Sequence, residues 1–164
     1  MLDGLTGDVQ LNIYGPVQDE EYWNQCQAQA KSLPANTRVK YCGAIPPHQV
    51  AAVFGLHDLF LFPTHSENFG HVVLESLAAG CPVFISDRTP WSQLEANGAG
   101  WDVAHDDNDR FQELLQRCVG MDAGEHAKLS RGAREYAIRL ELDSSAREAN
   151  KSLLQLEHRG TVPR

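Results

Sequence analysis

The sequence predicts an α/β fold, in which a doubly wound parallel sheet carries helices on both faces and the carboxyl-terminal end is helical. Three observations predict it. Short apolar runs, as in buried strands, alternate with longer segments of helical spacing. Glycine or proline lies at most of the boundaries between them. The alternation leaves room for a crossover between successive strands, as a parallel sheet requires.

The first half of the chain predicts three strands and two helices. Residues 9–14 alternate apolar and polar side chains and end at a Gly-Pro turn, so they form a strand. Residues 18–32 have helical spacing, and 39–42 form a short strand. A pair of prolines starts a helix over 47–56, since proline suits a first helical turn. The run 58–62 is apolar after Asp58, as in a strand buried on both faces.

The second half continues the pattern and then becomes helical. A helix over 70–79 ends at a glycine and is followed by a strand over 82–86. A short helix over 90–96 and a short strand over 100–103 follow. From 106 the chain reads helical to 159, with breaks near Gly120, Gly124 and Leu142-Asp143.

The two ends of the chain read differently from its middle. Residues 1–8 resemble the frayed end of a helix, and we expect that a preceding strand and most of that helix are absent. Residues 160–164 are expected to be a frayed tail. We therefore treat residues 1–164 as a single domain.

Composition excludes several classes of function. The net charge is −8 and there is no basic run, which argues against a nucleic-acid surface. The four cysteines form no Cys-x-x-Cys pair, which argues against a zinc or redox site and indicates a reducing compartment. No apolar stretch reaches the roughly 20 residues of a membrane span, and no signal-peptide pattern is present. We therefore expect a cytoplasmic protein; membrane association of a longer polypeptide stays open.

Two acids, Glu67 and Glu75, bear most directly on function. Glu67 lies in the loop after the apolar strand, and Glu75 lies in the helix that follows. Ligands of open α/β sheets bind at this edge, where a helix start offers free N–H groups to an anion. A loop acid that binds hydroxyls, a helix start that binds phosphate and a second acid beyond it would together suit a sugar nucleotide.

This part of the chain resembles the carboxyl-terminal, donor-binding half of GT-B glycosyltransferases, particularly the retaining family 4, or glycosyl transferases group 1. The resemblance covers about residues 8–140. Besides the Glu-x7-Glu motif with Phe69-Gly70 inside it, the matching segments are 14–16, 39–43, 59–63, 80–83 and 100–103. It implies a Rossmann-like fold and transfer of a hexosyl group from a nucleotide diphosphate sugar to a hydroxyl acceptor.

The resemblance also implies residue roles. Glu67 would be the catalytic-site acid that accepts hydroxyls of the transferred sugar, and Glu75 would accept the ribose hydroxyls. The donor sugar and phosphates would meet the backbone of Asn68, Phe69 and Gly70 and the side chain of His71. The nucleotide base would lie against Gly43, Ala44 and Ile45.

The chain departs from the family pattern in three ways. Ser76 stands where alanine is usual, and the loop over 87–91 is not of the commonest form. The arginine and lysine of the family's first strand, and its amino-terminal acceptor domain, have no counterpart here. Arg88 could replace part of that missing charge as a phosphate contact. We expect this fragment to be inactive alone.

Helix-start amides stabilise the diphosphate leaving group without a metal, so we expect no metal and no other cofactor. The acids Asp106, Asp107 and Asp109 are interpreted as the first turn of a helix. His65 and the tryptophans Trp91 and Trp101 are interpreted as structural. Two alternatives stay open: a non-catalytic nucleotide-sugar or phosphate-binding module, and another GT-B enzyme such as a sugar-nucleotide epimerase or, last, a phosphorylase.

Overall fold

A computed structural model describes residues 2–142. The predicted helix beyond 142 and the tail over 160–164 lie outside the described residues. Five strands and five helices are described within that range. In chain order they are β1 (Val9–Tyr14), α1 (Glu20–Lys31), β2 (Thr37–Gly43), α2 (Val50–Phe54), β3 (Phe60–Phe62), α3 (His71–Ala79), β4 (Val83–Ser86), β5 (Gly100–Val103), α4 (Asn108–Val119) and α5 (Ala123–Leu142). A 3₁₀ turn over Pro47–Gln49 leads into α2.

All strand pairs are parallel, but the pairing divides them into two sheets. β1 pairs with β2, and β3, β4 and β5 pair in that order. Within the described range, β1, β2, β3 and β5 each have one edge without a hydrogen-bonded strand. The predicted parallel arrangement is therefore confirmed, whereas a single continuous sheet is not what the structure shows.

β4 lies at the centre of the core because its two faces are buried by different helices. Val83 and Ile85 face the apolar side chains of α3 and α5. Phe84, between them, faces α4 and stacks on Phe111 with ring centroids 5.0 Å apart. Every residue of β4 is buried. Period-two alternation with apolar residues on both faces confirms the prediction of helices on both sides of the sheet.

The helix predicted over 90–96 is wrong, because the structure has an irregular segment there that ends in a turn. The carboxylate of Asp102 accepts the N–H groups of Gln93 at 3.2 Å and Leu94 at 2.9 Å. Gln93 has a φ of 58°, in the left-handed region, which a helix does not allow. A side chain of the neighbouring strand thus takes the N–H groups that a helix would have used.

Residues 2–8 are not the end of a helix, which corrects a second prediction. Residues 3 and 4 form a turn. Leu5 is buried against Phe84 and α4, and the N–H of Thr6 donates to Gln116 at 2.8 Å. Gly124 is also not a break, because it lies in the first turn of α5. Apolar anchoring of Leu5 holds this segment on the core.

Candidate functional site

Three loops meet at the carboxyl edge of the β3–β4–β5 sheet. We name residues 63–70, after β3, the motif loop, and residues 87–91, after β4, the bracing loop. The N–H of Asp87 donates to the carbonyl oxygen of Val103 at 2.8 Å, and the N–H of His105 donates to Asp87 Oδ1 at 3.0 Å. The loops after β4 and β5 are therefore tied together. This edge is where ligands of open α/β sheets bind.

The carboxylate of Glu67 folds back onto the backbone of its own loop. Its Oε1 accepts the N–H groups of Phe69 and Gly70, each at 3.0 Å. These bonds, that of Phe69 first, lower the pKa of Glu67, and the amide of Asn68 and the neighbouring His71 lower it further. The side chain is therefore ionised at neutral pH. The turn holds an anion, and in this structure that anion is its own carboxylate.

Gly70 is the N-cap that precedes α3, and its φ of 65° is left-handed. The N–H groups of Val73 and Leu74 both reach the carbonyl oxygen of Gly70, at 2.8 and 3.4 Å. The two N–H groups before them, on His71 and Val72, belong to the helix's first turn, which has no intrahelical acceptor. Gly70, the N-cap of this helix, has no side chain that could accept these two N–H groups. The helix start therefore offers N–H groups and a positive dipole end to an anion.

Glu75 lies one turn beyond His71, and both residues are exposed. The opposite face of α3 carries the buried Val73, Ser76 and Leu77. Residues i and i+4 share one face of a helix, so Glu75 and His71 point to the same side. The two acids of the motif thus lie on either side of the helix start, with Glu75 facing solvent.

The predicted site residues outside the motif lie at or after the ends of strands in two different sheets, and Arg88 contacts the motif loop. Arg88 contacts the motif loop through its backbone, because its carbonyl oxygen accepts the N–H of Glu67 at 3.0 Å. Its side chain is exposed and its Nε lies 3.5 Å from Asp87 Oδ1. Gly43 is the last residue of β2, and Ala44 and Ile45 follow it, at the carboxyl end of the other sheet. The roles assigned to these residues, like those of Asn68, Phe69 and His71, stay predictions.

Three contacts at this edge were not foreseen from the sequence. The indole N–H of Trp91 donates to the carbonyl oxygen of Phe69 at 3.1 Å. The hydroxyl of Ser86 donates to the carbonyl oxygen of Thr64. The rings of His65 and His105 meet edge to face, with centroids 4.3 Å apart. The Thr-Pro-Trp sequence after a strand would have been the signal for the first of them.

The remaining expectations concern acids and cysteines. Asp107 caps α4 by accepting the N–H of Arg110 at 3.0 Å, which confirms the interpretation of this acidic segment as a helix start. Among residues 2–142, no cluster of three His, Cys, Asp or Glu side chains has the arrangement of a metal site. Cys26, Cys42, Cys81 and Cys118 are all free thiols. No helix of the described part combines the length and apolarity needed to cross a bilayer.

Comparison with known proteins gives one family. The model of the family described as glycosyl transferases group 1 matches residues 2–136. A D-inositol 3-phosphate glycosyltransferase of Acidothermus cellulolyticus is 30% identical over 120 residues, which are 73% of this chain and 26% of that protein. An alpha-monoglucosyldiacylglycerol synthase of Streptococcus pneumoniae is 28% identical over 66% of this chain and 25% of its own length. The chain thus spans about a quarter of these curated relatives.

A solved structure agrees in fold. HepE of Anabaena, crystallised in complex with UDP-glucose, superposes with a TM-score of 0.69 and 18% identity. The superposition covers 90% of this chain and 42% of HepE. At that identity the likeness concerns the fold alone.

Proposed function

This chain belongs to the glycosyl transferases group 1 family, and from that premise we propose that it is the domain that binds a nucleotide diphosphate sugar. One observation carries the proposal. The turn before α3 already holds an ionised carboxylate on two backbone N–H groups, directly beside an uncapped helix start. Such a surface suits the diphosphate of a donor.

The two acids would then hold the hydroxyl groups of the donor on either side of the diphosphate. Glu67 uses Oε1 for its own loop, so its other oxygen is the one that would accept a sugar hydroxyl. Glu75, exposed on the solvent face of α3, would accept the ribose hydroxyls. Hydrogen bonds to ionised carboxylates are about twice as strong as neutral ones. This arrangement supplies affinity for both ends of the donor.

During transfer, negative charge grows on the departing diphosphate. N–H groups fixed at a helix start stabilise that charge without reorganising. We propose that the whole protein moves a hexosyl group to a hydroxyl acceptor with retention at the anomeric carbon. Because this chain spans about a quarter of its curated relatives, acceptor binding and turnover are proposed for the longer protein.

We also propose that a further parallel strand lies between β1 and β3 in that protein. Phe60, Leu61 and Phe62 of β3 are only half-buried, although they form an uncharged apolar run. Leu11 and Ile13 of β1 are likewise half-buried. An uncharged apolar strand edge is rarely left open, because it pairs readily with another chain. A strand in this position would join the two described sheets.

Calorimetric titration of the 164-residue chain with UDP and UDP-glucose tests the proposed donor site. Binding of both is expected, and Glu75→Gln should weaken both by about tenfold. That factor corresponds to about 1.4 kcal/mol, roughly one hydrogen bond to a charged group. Glu21→Gln, an exposed acid on α1, is the matched control and should bind like the parent. Equal affinities of parent and Glu75→Gln would contradict the proposed site.

A longer polypeptide distinguishes an enzyme from a binding module. Radiolabelled UDP-glucose with hydroxyl acceptors should yield glycosylated product in the longer protein. Binding without transfer in that protein would favour the non-catalytic module instead.

A further inference from the structure

We propose that the bracing loop, acting through Trp91, is a positioning element that fixes the motif loop for the sugar part of the donor. This inference rests on the proposed donor site and adds a residue that lies outside the Glu-x7-Glu motif. Trp91 is half-buried and follows Thr89-Pro90 in the loop after β4. It contacts Phe69 and Gly70, which lie in the motif loop close to Glu67, the first acid of the motif.

Three hydrogen bonds join the end of β4 and the bracing loop to the motif loop, spaced along its length. Ser86 donates to the carbonyl oxygen of Thr64. The carbonyl oxygen of Arg88 accepts the N–H of Glu67 at 3.0 Å. Trp91 donates its indole N–H to the carbonyl oxygen of Phe69 at 3.1 Å. The bonded residues follow the same order along both segments, so the two loops run side by side.

The indole ring also sets the position of Gly70. A Cβ built on Gly70 would lie 2.5 Å from Trp91 Nε1 and 2.9 Å from Trp91 Cδ1. The ring therefore lies directly on the backbone of the residue that starts α3. The N–H of Gly70 donates to Glu67 at 3.0 Å, so the indole ring and the Glu67 carboxylate contact the same backbone residue.

The bracing loop is itself fixed from the other side. Thr89 Oγ1 accepts the N–H of Trp91 at 3.2 Å. Asp87 is bonded to β5 through its N–H and to His105 through its carboxylate. Trp91 is thus held by a loop that continues the β4–β5 pairing, and its bond to Phe69 ties the motif loop to that loop. A site whose polar groups are fixed before binding loses less entropy when ligand arrives.

The consequence is selective for the sugar. In the proposed donor site, the loop that Trp91 holds carries Glu67, which would bind the transferred sugar, whereas Glu75 on α3 would bind the nucleotide. Loss of the indole N–H should therefore reduce the preference for UDP-glucose over UDP. If the motif loop leaves its binding geometry when this bond is lost, recovering that geometry on binding costs about 1 kcal/mol, which corresponds to a roughly fivefold lower ratio of the two affinities.

The test compares Trp91→Phe with Trp23→Phe. Both lose an indole N–H and keep an aromatic ring, but Trp23 packs on Tyr41, on the β1–β2 side of the molecule. Calorimetry with UDP and UDP-glucose should give a roughly fivefold lower ratio for Trp91→Phe and the parent ratio for Trp23→Phe. Thr89→Val, which removes the hydroxyl that holds the Trp91 backbone, should lower the ratio in the same direction and serves if Trp91→Phe does not fold.

A spectroscopic measurement accompanies the titration. In a ¹⁵N-labelled chain, the indole signal that vanishes in Trp91→Phe should shift on addition of UDP-glucose and shift less with UDP. If the parent binds both ligands and neither Trp91→Phe nor Thr89→Val changes the ratio, Trp91 is not a positioning residue. If the parent binds neither ligand, the proposed donor site itself is wrong.

Discussion

Gly70→Ala gives the sharpest test of how the motif loop is built. Gly70 has a left-handed φ of 65°, and an added Cβ would lie 2.5 Å from Trp91 Nε1. The left-handed conformation costs a residue with a side chain about 1 kcal/mol. Forcing a methyl group into occupied space costs about 2 kcal/mol more, since the rigid indole can move only by giving up its bond to Phe69. We therefore expect the free energy of unfolding to fall by about 3 kcal/mol in total.

Gly98→Ala is the matched control. Gly98 has nearly the same φ, 63°, but nothing lies within 4 Å of an added Cβ. Urea denaturation should therefore show a loss of only about 1 kcal/mol for Gly98→Ala. On a Trp91→Ala background, Gly70→Ala should likewise cost about 1 kcal/mol, because the clash is gone. Equal losses for Gly70→Ala and Gly98→Ala in the parent would refute the contact between the two loops.

Two further predictions concern the cysteines and the open strand edges. Burial raises the pKa of the Cys81 and Cys118 thiols to about 11, so both are protonated at pH 8. A thiol reagent should therefore modify Cys26 and Cys42 first. Early labelling of Cys81, detected by mass spectrometry, would contradict this packing. Hydrogen exchange tests the additional strand through the amides that point to the open edges of β3 (Phe60–Phe62) and β1 (Val9–Tyr14). These amides should exchange rapidly in this chain and slowly in the longer protein. Equal exchange rates in both would exclude the additional strand.

The position of β4 could be predicted from the sequence because this strand is buried on both faces. The run ending at Ser86 needs apolar side chains toward α3 and toward α4 alike, and such a run is conspicuous. α3 was readable for a different reason, since Gly70 and Gly80 at its ends both adopt left-handed φ values. Local chemistry and burial point to the same element in these places.

The predicted elements that the structure contradicts were wrong because tertiary contacts determine the conformation there. The segment over 90–96 has the composition of a short helix, but Asp102 and the motif loop bind its polar groups. Residues 2–8 carry no periodic pattern, and their position follows from one buried side chain, Leu5. The division into two sheets could not be read from alternation alone, because alternation predicts strands and not which edges pair.

Two contacts of the motif loop could not be predicted from the sequence. The spacing of Glu67 and Glu75 indicated their places on loop and helix, and these places are as the structure has them. That Glu67 would bind its own loop's amides depends on the turn adopted by Asn68 and Phe69. The support given by Trp91 depends on two loops that are 22 residues apart in sequence.

Backbone amide shifts of the ¹⁵N-labelled chain during titration with UDP-glucose test the central claim most directly. The largest changes are expected at residues 68–75, with His71 and Val72 foremost, since their N–H groups would face the diphosphate. Saturable shifts elsewhere on the domain, with residues 68–75 unmoved, would contradict a donor site at the start of α3.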